Sequence, residues 1–222
     1  MHFFRRRHQN HVPFILPAHA PLPQVVDAEA VIYLQDGEQT KRTAAVSEFA
    51  SRHPGNDLTT VESIVKDIAS FRVIQHDTDG IRNEYSRRTA DEIISSREVA
   101  TGALDANEKE RALGCIDYNV ALCAVLRAKG IPAKFTRRQD HSETHFLLNG
   151  TWYRADIVHQ REVDRQGGMD PDSQLKPVMP LPDALRRLNE MMRSSGQYAE
   201  GLDAWDIGIR TWKDFGKYSA KR

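Results

Sequence analysis

The chain has 222 residues, 31 basic against 31 acidic side chains, 40% hydrophobic content and 2 cysteines. That composition describes a globular protein of one domain with a possible appendage. It excludes a disulfide scaffold and argues against the strong basic field that would hold a nucleic-acid backbone. The longest apolar stretch, around Val120 to Leu126, is far short of the roughly 20 residues needed to cross a bilayer, so no membrane span is expected.

Met1 to Arg7 (MHFFRRR) has the charge of a signal-peptide n-region, but the following HQNHVPFILPAHAPLPQ is broken by prolines and histidines. No adequate apolar h-region follows. Residues 1–24 are therefore expected to form an extended, proline-containing arm, and 25–222 a single domain. The location reads as cytoplasmic, or exported by a signal that the sequence does not spell out.

In chain order, VVDAEAVIYL (residues 25–34) fits a strand or a short helix equally. Over 59–74, Thr59 and Glu62 form a capping box, and Val61, Ile64, Val65, Ile68 and Phe71 share one helical face. A second capping box, Thr89 with Glu92, opens a helix that carries Ile93, Ile94 and Val99 and is expected to end at Gly102. Residues 103–113 read as a short exposed charged helix. From Cys115, CIDYNVALCAVLRAK is apolar on nearly all sides and predicts a buried helix, stopped by Gly130 and Pro132.

Ala133 to Arg137 then reads as a strand, and His141–Leu148 and Thr151–Ile157 as two more, joined by the hairpin signal Asn149-Gly150. Residues 160–182 read as a long loop. Two C-terminal helices are expected, Asp183 to Met192 carrying Leu185, Leu188, Met191 and Met192, and 202–215 carrying Leu202, Trp205, Ile209 and Trp212. The whole is an α+β layout in which a buried helix packs on a small antiparallel sheet, with flanking helices.

Hairpin geometry converts spacing into neighbours. With Asn149 and Gly150 in the turn, Leu147 faces Trp152, His145 faces Arg154 and Glu143 faces Asp156. Residues of equal parity share a face, which puts His141, Glu143, His145, Trp152, Arg154 and Asp156 on one side of the sheet. Both histidines become diagonal neighbours of Asp156. Cys115 sits at the start of the buried helix, where unpaired backbone amides and the helix dipole favour a thiolate. A thiol, an imidazole to carry its proton and a carboxylate to orient the imidazole make a complete acyl-transfer set. Cys123, in the middle of ALCAVL, reads instead as a small buried hydrophobe.

Three stretches carry a resemblance: TADEIISSREVATG, GCIDYNVALCAVLRAKGIPAKF and HSETHFLLNGTWYRAD. Together they resemble the transglutaminase-like branch of the papain-like cysteine enzymes over roughly residues 89–157. The matching positions are Cys115, Asp117, Tyr118, Leu126, Arg127, Gly130, Ile131, Pro132, Ala133, His141, Gly150, Trp152 and Asp156. The resemblance implies a papain-like core with a catalytic triad of Cys115, His141 and Asp156. The family's spacing from histidine to tryptophan and aspartate is met by His141, Trp152 and Asp156. His145 is the alternative base or a substrate contact, and Trp152 a wall of the site.

The chain also departs from the pattern. The segment between Gly102 and Gly114 looks like an insertion before the nucleophile, and the link from Cys115 to His141 is short. Glu143 replaces an apolar residue opposite the aspartate, which should raise one carboxyl pKa unless Arg154 or a protonated histidine offsets the charge. Zinc is a competing use of Cys115, His141, His145 and Asp156, but histidines four apart on a strand lie about 13 Å apart and cannot chelate one ion. No metal and no cofactor is expected.

The function so implied is cysteine-dependent acyl transfer on amide bonds through a thioester: peptide hydrolysis, glutamine deamidation or transamidation. Its substrate would be a protein or peptide, attacked at a backbone amide or a glutamine side chain. The alternative is a catalytically inactive domain of the same kind that binds a protein partner.

Overall fold

The computed structural model describes residues 28–75, 86–101, 114–138, 141–158, 177–211 and 214. The expected N-terminal arm, the charged helix over 103–113 and most of the loop over 160–182 lie outside the described residues.

The chain begins with helices α1 (Ala28–Ile32), α2 (Ala44–Ser51) and α3 (Leu58–Ala69), so the ambiguous stretch around residue 30 is a helix. The cap of α3 is Asp57 and not Thr59: the Asp57 carboxylate accepts the Thr60 amide at 2.8 Å and the Thr60 hydroxyl at 2.8 Å. An aspartate two residues earlier outcompetes the threonine because its ionised oxygen is the stronger acceptor beside the helix dipole. Val61, Ile64, Val65 and Ile68 turn inward as expected, but Phe71 is buried beyond the helix end. The chain there enters strand β1 (Arg72–Gln75), which pairs in parallel with β2 (Glu98–Thr101).

The Thr89–Glu92 capping box opens α4 (Ala90–Ser96) with both reciprocal bonds. This helix stops well short of Gly102. Arg97 adopts a left-handed conformation (φ 52°) and Val99 belongs to β2. Short-range pattern continued the helix; pairing with β1, remote in sequence, ended it.

Helix α5 (Cys115–Ala128) is the centre of the molecule, buried from Cys115 through Arg127. It ends as its glycine predicts: Gly130 is left-handed (φ 75°), its amide reaches Arg127 O at 2.9 Å, and Ile131 N reaches Leu126 O at 2.9 Å. That is a Schellman motif. The Arg127 guanidinium is fully buried and donates to the carbonyls of Tyr33, Ala133 and Leu202 and to the Thr40 hydroxyl, at 2.6–3.0 Å. A single side chain thereby fastens the end of α5 to four separate chain segments.

One face of α5 rests on a five-stranded antiparallel sheet of order β6-β5-β4-β3-β7, made of β3 (Ala133–Arg138), β4 (His141–Leu148), β5 (Thr151–Ala155), β6 (Val178–Pro180) and β7 (Tyr198–Gly201). The hairpin register is the expected one, with Leu147 opposite Trp152 and His145 opposite Arg154. Asn149 (φ 50°) and Gly150 (φ 76°) both take the left-handed region that a two-residue hairpin turn requires. The inner face carries Ala133, Phe135, Phe146 and Leu148 into the core.

The C-terminal part departs most from expectation. Residues 178–180, read as loop, form edge strand β6, and β7 has no sequence signal beyond its tyrosine. Helix α6 (Asp183–Ser194) is present, but Leu188 and Met191 are exposed and only Asn189 and Met192 are buried. The expected helix over 202–215 is absent among the described residues. Asp203 and Asp206 take backbone amides instead: Gln39 N and Asp206 N donate to Asp203, and Leu202 N to Asp206, at 2.8–2.9 Å. Aspartates that satisfy local amides favour successive turns over a helix. Trp212 lies outside the described residues.

Replacing Arg127 with methionine removes the guanidinium's bonds to three carbonyls, of which that of Tyr33 keeps the Ala133 amide at 3.1 Å, and leaves the others without their charged donor. The expected cost is about 3–5 kcal/mol, read as a fall in the urea midpoint, while the Schellman glycine keeps the helix end in place in any molecules that fold.

Candidate active site

Cys115 is the first residue of α5, behind Gly114 at the cap position, and its side chain is fully buried. The sulfur therefore lies at the positive end of a 14-residue helix, where the field favours negative charge on it and on an oxyanion formed beside it. His141 opens β4, and Asp156 follows directly after β5. Its own amide is held by Pro177 O at 2.8 Å. His141 Nε2 lies 2.9 Å from Asp156 Oδ2, and the same imidazole is hydrogen-bonded to Cys115. The structure thus brings Cys115, His141 and Asp156 together.

The electrostatics of His141 follow from these contacts. Burial by itself would lower its pKa, but the hydrogen bonds to Asp156 and Cys115 and the charges of both partners outweigh it and raise the value to about 10. An imidazole in this setting holds its proton at neutral pH, which is the charge state of a thiolate–imidazolium pair.

His145 does not share Asp156. Its Nε2 lies 3.5 Å from Glu143 Oε2 and its ring is buried, which pushes its pKa down and keeps it neutral. The expected diagonal bond from His145 to Asp156 gives way to Glu143 on the same strand, whose carboxylate takes the ring. Trp152, expected as a wall of the site, lies four positions before Asp156 along the chain and packs edge-on to Tyr33 under the Lys134 ammonium.

Glu143 does sit beside Asp156, and the pair is compensated. Arg154 Nη2 lies 3.6 Å from Glu143 and 3.5 Å from Asp156, and Arg138 lies 3.4 Å from Glu143. Burial would raise the Glu143 pKa, yet the His145 hydrogen bond and the Arg154 charge hold it at about 2. His141, Glu143 and Asp156 offer ligand atoms within 4.8 Å of one another. The same two arginines already supply the positive charge that a cation would bring, so the donor set suits an ion-pair network better than a metal.

Two residues of the site escaped the sequence reading. Asn119 is fully buried one turn into α5. Its amide nitrogen donates to Cys115 O at 2.6 Å and Ser142 O at 2.8 Å, and its oxygen accepts from the Thr144 hydroxyl at 2.7 Å. It ties the backbone of the nucleophile to the strand that carries His141. Arg137, also fully buried, points Nη1 at the Cys115 sulfur (3.9 Å) and the Ser142 hydroxyl (3.2 Å). A polar residue inside an otherwise apolar helix, and an arginine at the strand parity of Ala133 and Phe135, were the available signals. Asp117 serves the scaffold, accepting the Ala100 amide at 2.9 Å and facing Arg88 at 3.4 Å. Cys123 is buried and its Sγ lies 3.6 Å from Thr144 Oγ1.

Stability should respond to pH on both sides of neutrality. The folded His141 pKa is raised from 6.5 to about 10, so its contribution is complete below pH 6.5 and disappears as pH climbs through 10. Glu143 falls from 4.5 to about 2, so its contribution is complete above pH 4.5 and disappears as pH drops through 2. Neutral, buried His145 adds destabilisation as pH falls below 6.5. Thermal melts from pH 3 to 10 in Asp156→Asn should show a flattened alkaline limb and an intact acid limb.

No family model matches the chain, and no curated protein matches it. Among solved structures, the crystal structure of a "putative cysteine protease" from Cytophaga hutchinsonii is similar, with 17% identity and a TM-score of 0.50. The match covers 83% of this chain and 51% of that one, so the chain spans about half the length of its structural relative. At this identity the likeness concerns the fold, which is the mixed α+β arrangement described above. No helix among the described residues is long and apolar enough to cross a membrane.

Proposed function

We propose that the chain is a cysteine-dependent acyl-transfer enzyme of the transglutaminase-like, papain-like kind, acting on amide bonds of proteins or peptides with Cys115, His141 and Asp156 as its triad. One observation carries the reading: an imidazole that contacts both a thiol at the start of a buried helix and, at 2.9 Å, a carboxylate. Isolated ion pairs of histidine and aspartate are common. A third partner that is a sulfur at a helix N-terminus is what a nucleophilic site needs. The fold likeness to a protein named as a cysteine protease lends support of the same direction.

In this mechanism the Cys115 thiolate attacks the amide carbon while the Cys115 proton resides on His141. The helix-terminal amides stabilise the oxyanion. As the C–N bond breaks, His141 passes its proton to the leaving nitrogen, and a thioester remains. Water, or an amine in transamidation, then attacks the thioester carbon. His141 takes the proton of that nucleophile, and the sulfur departs as thiolate. Asp156 keeps the imidazole in one tautomer and offsets its charge throughout. No metal or cofactor takes part.

A second reading is favoured by the complete burial of Cys115: a domain of the same fold that binds a partner and does no chemistry. Iodoacetamide labelling of the folded protein against pH, read by mass spectrometry, separates the two. The enzyme reading expects fast labelling of Cys115 below pH 7, slowed in His141→Ala. Labelling that rises only near the ordinary thiol pKa of about 8.5, with or without His141, refutes it.

Activity against peptide amides and glutamine side chains, followed as released amine or ammonia, should vanish in Cys115→Ala. It should fall on the order of 10³-fold or more in Asp156→Asn. Cys123→Ala should keep its turnover and lose about 1–2 kcal/mol of stability.

A further inference from the structure

At the sulfur itself the site holds a charged group that a thiol–imidazole–carboxylate triad does not account for. Arg137 lies on β3 with its side chain on the inner face, where its neighbours Ala133 and Phe135 are core residues. A guanidinium stays protonated in proteins, and burying one is costly unless negative charge or good acceptors meet it. Here it is fully buried, and its Nη1 is aimed at the Ser142 hydroxyl (3.2 Å) and the Cys115 sulfur (3.9 Å). Ser142 is directly opposite Arg137 across the β3–β4 ladder and next in sequence to His141. The two positive groups therefore reach the sulfur from adjacent strands, one from β3 and one from β4.

We infer that Arg137 is a second, permanent cationic partner of the Cys115 sulfur, stabilising the thiolate independently of the protonation of His141. The inference deepens the proposed function and rests on it. Its chemical consequence lies in the two states where the sulfur is anionic, the free enzyme before attack and the departure of the sulfur from the collapsing tetrahedral adduct of the thioester. In both, Arg137 adds a fixed positive charge to that of the His141 imidazolium, so the thiolate keeps a cationic partner whichever way the imidazole proton moves. Of the neighbouring charged groups, His141 is paired with Asp156, and Asp117, two residues into the helix, faces Arg88 at 3.4 Å. Arg137 and the imidazole both contact the sulfur directly.

Alkylation by iodoacetamide forms a C–S bond with loss of iodide and reports the thiolate fraction directly. Its rate at Cys115 against pH is to be measured in wild type, Arg137→Gln, Arg137→Lys and His141→Ala, each checked for folding by circular dichroism. Glutamine keeps a hydrogen bond to Ser142 but removes the charge. The expected outcome is a midpoint at least one pH unit higher than wild type, hence about a tenfold slower rate at pH 6, with at least half the shift restored by lysine. His141→Ala requires no change at Arg137, so it decides even where Arg137→Gln does not fold. Its midpoint should rise above wild type yet remain below about 8.5.

An unchanged profile in folded Arg137→Gln overturns the role of Arg137. So does a His141→Ala midpoint at or above 8.5 in a protein whose wild-type midpoint is low. A wild-type midpoint near 8.5 instead removes the enzyme reading itself.

Discussion

Burial of α5 on every side is the constraint from which the rest of the structure follows. A helix wholly enclosed must hand its polar groups to fixed partners, and each end of α5 does so. At the C-terminal end Arg127 collects carbonyls from the turn after α1, from β3 and from the start of the segment after β7. Near the other end Asn119 grips Cys115 O and Ser142 O together. Both sets of bonds are buried, so breaking either leaves unsatisfied groups in a dry interior. The helix can neither slide nor rotate over the sheet. That immobility is what lets a thiol on its first residue meet an imidazole on the first residue of β4.

The charges around this contact form one balanced system. Asp156 faces His141 and Arg154, Glu143 faces Arg154, Arg138 and His145, and Arg137 faces the sulfur. A carboxylate pair that would repel in isolation is bridged by a shared guanidinium, and Glu143 stays ionised although buried. Glu143 also takes the His145 ring, while Asp156 is the carboxylate hydrogen-bonded to His141. Glu143 therefore sorts the two histidines, one charged and partnered with sulfur, the other neutral and closed in.

Stability and access pull in opposite directions at the nucleophile. Full burial of Cys115 concentrates the helix field and both cations on it, because little water screens them. The same burial bars an amide from the sulfur. His141 retains 29% of its side-chain exposure against 12% for Asp156. On the proposed function, an amide reaches the sulfur only if its surroundings part locally.

What the sequence determined was everything set by local chemistry and strict period. The Thr89–Glu92 box, the Gly130 stop, the Asn149-Gly150 turn and the two-residue alternation of β4 and β5 are decided within a few bonds of the residues concerned. The placement of both His141 and His145 near Asp156 follows from them by arithmetic, while the resemblance joined Cys115 to the set and chose between the histidines. Tertiary structure decided what depends on remote partners. The β1–β2 pairing cut α4 short, Gln39 and its neighbours drew Asp203 into turns where a helix was expected, and β6 and β7 exist because a sheet edge was there to pair with. Asn119 and Arg137 belong to the same class. Each looks like an ordinary polar residue in the sequence, and only the approach of α5 to β3 and β4, from segments many residues apart, gives it a sulfur or a carbonyl to act on.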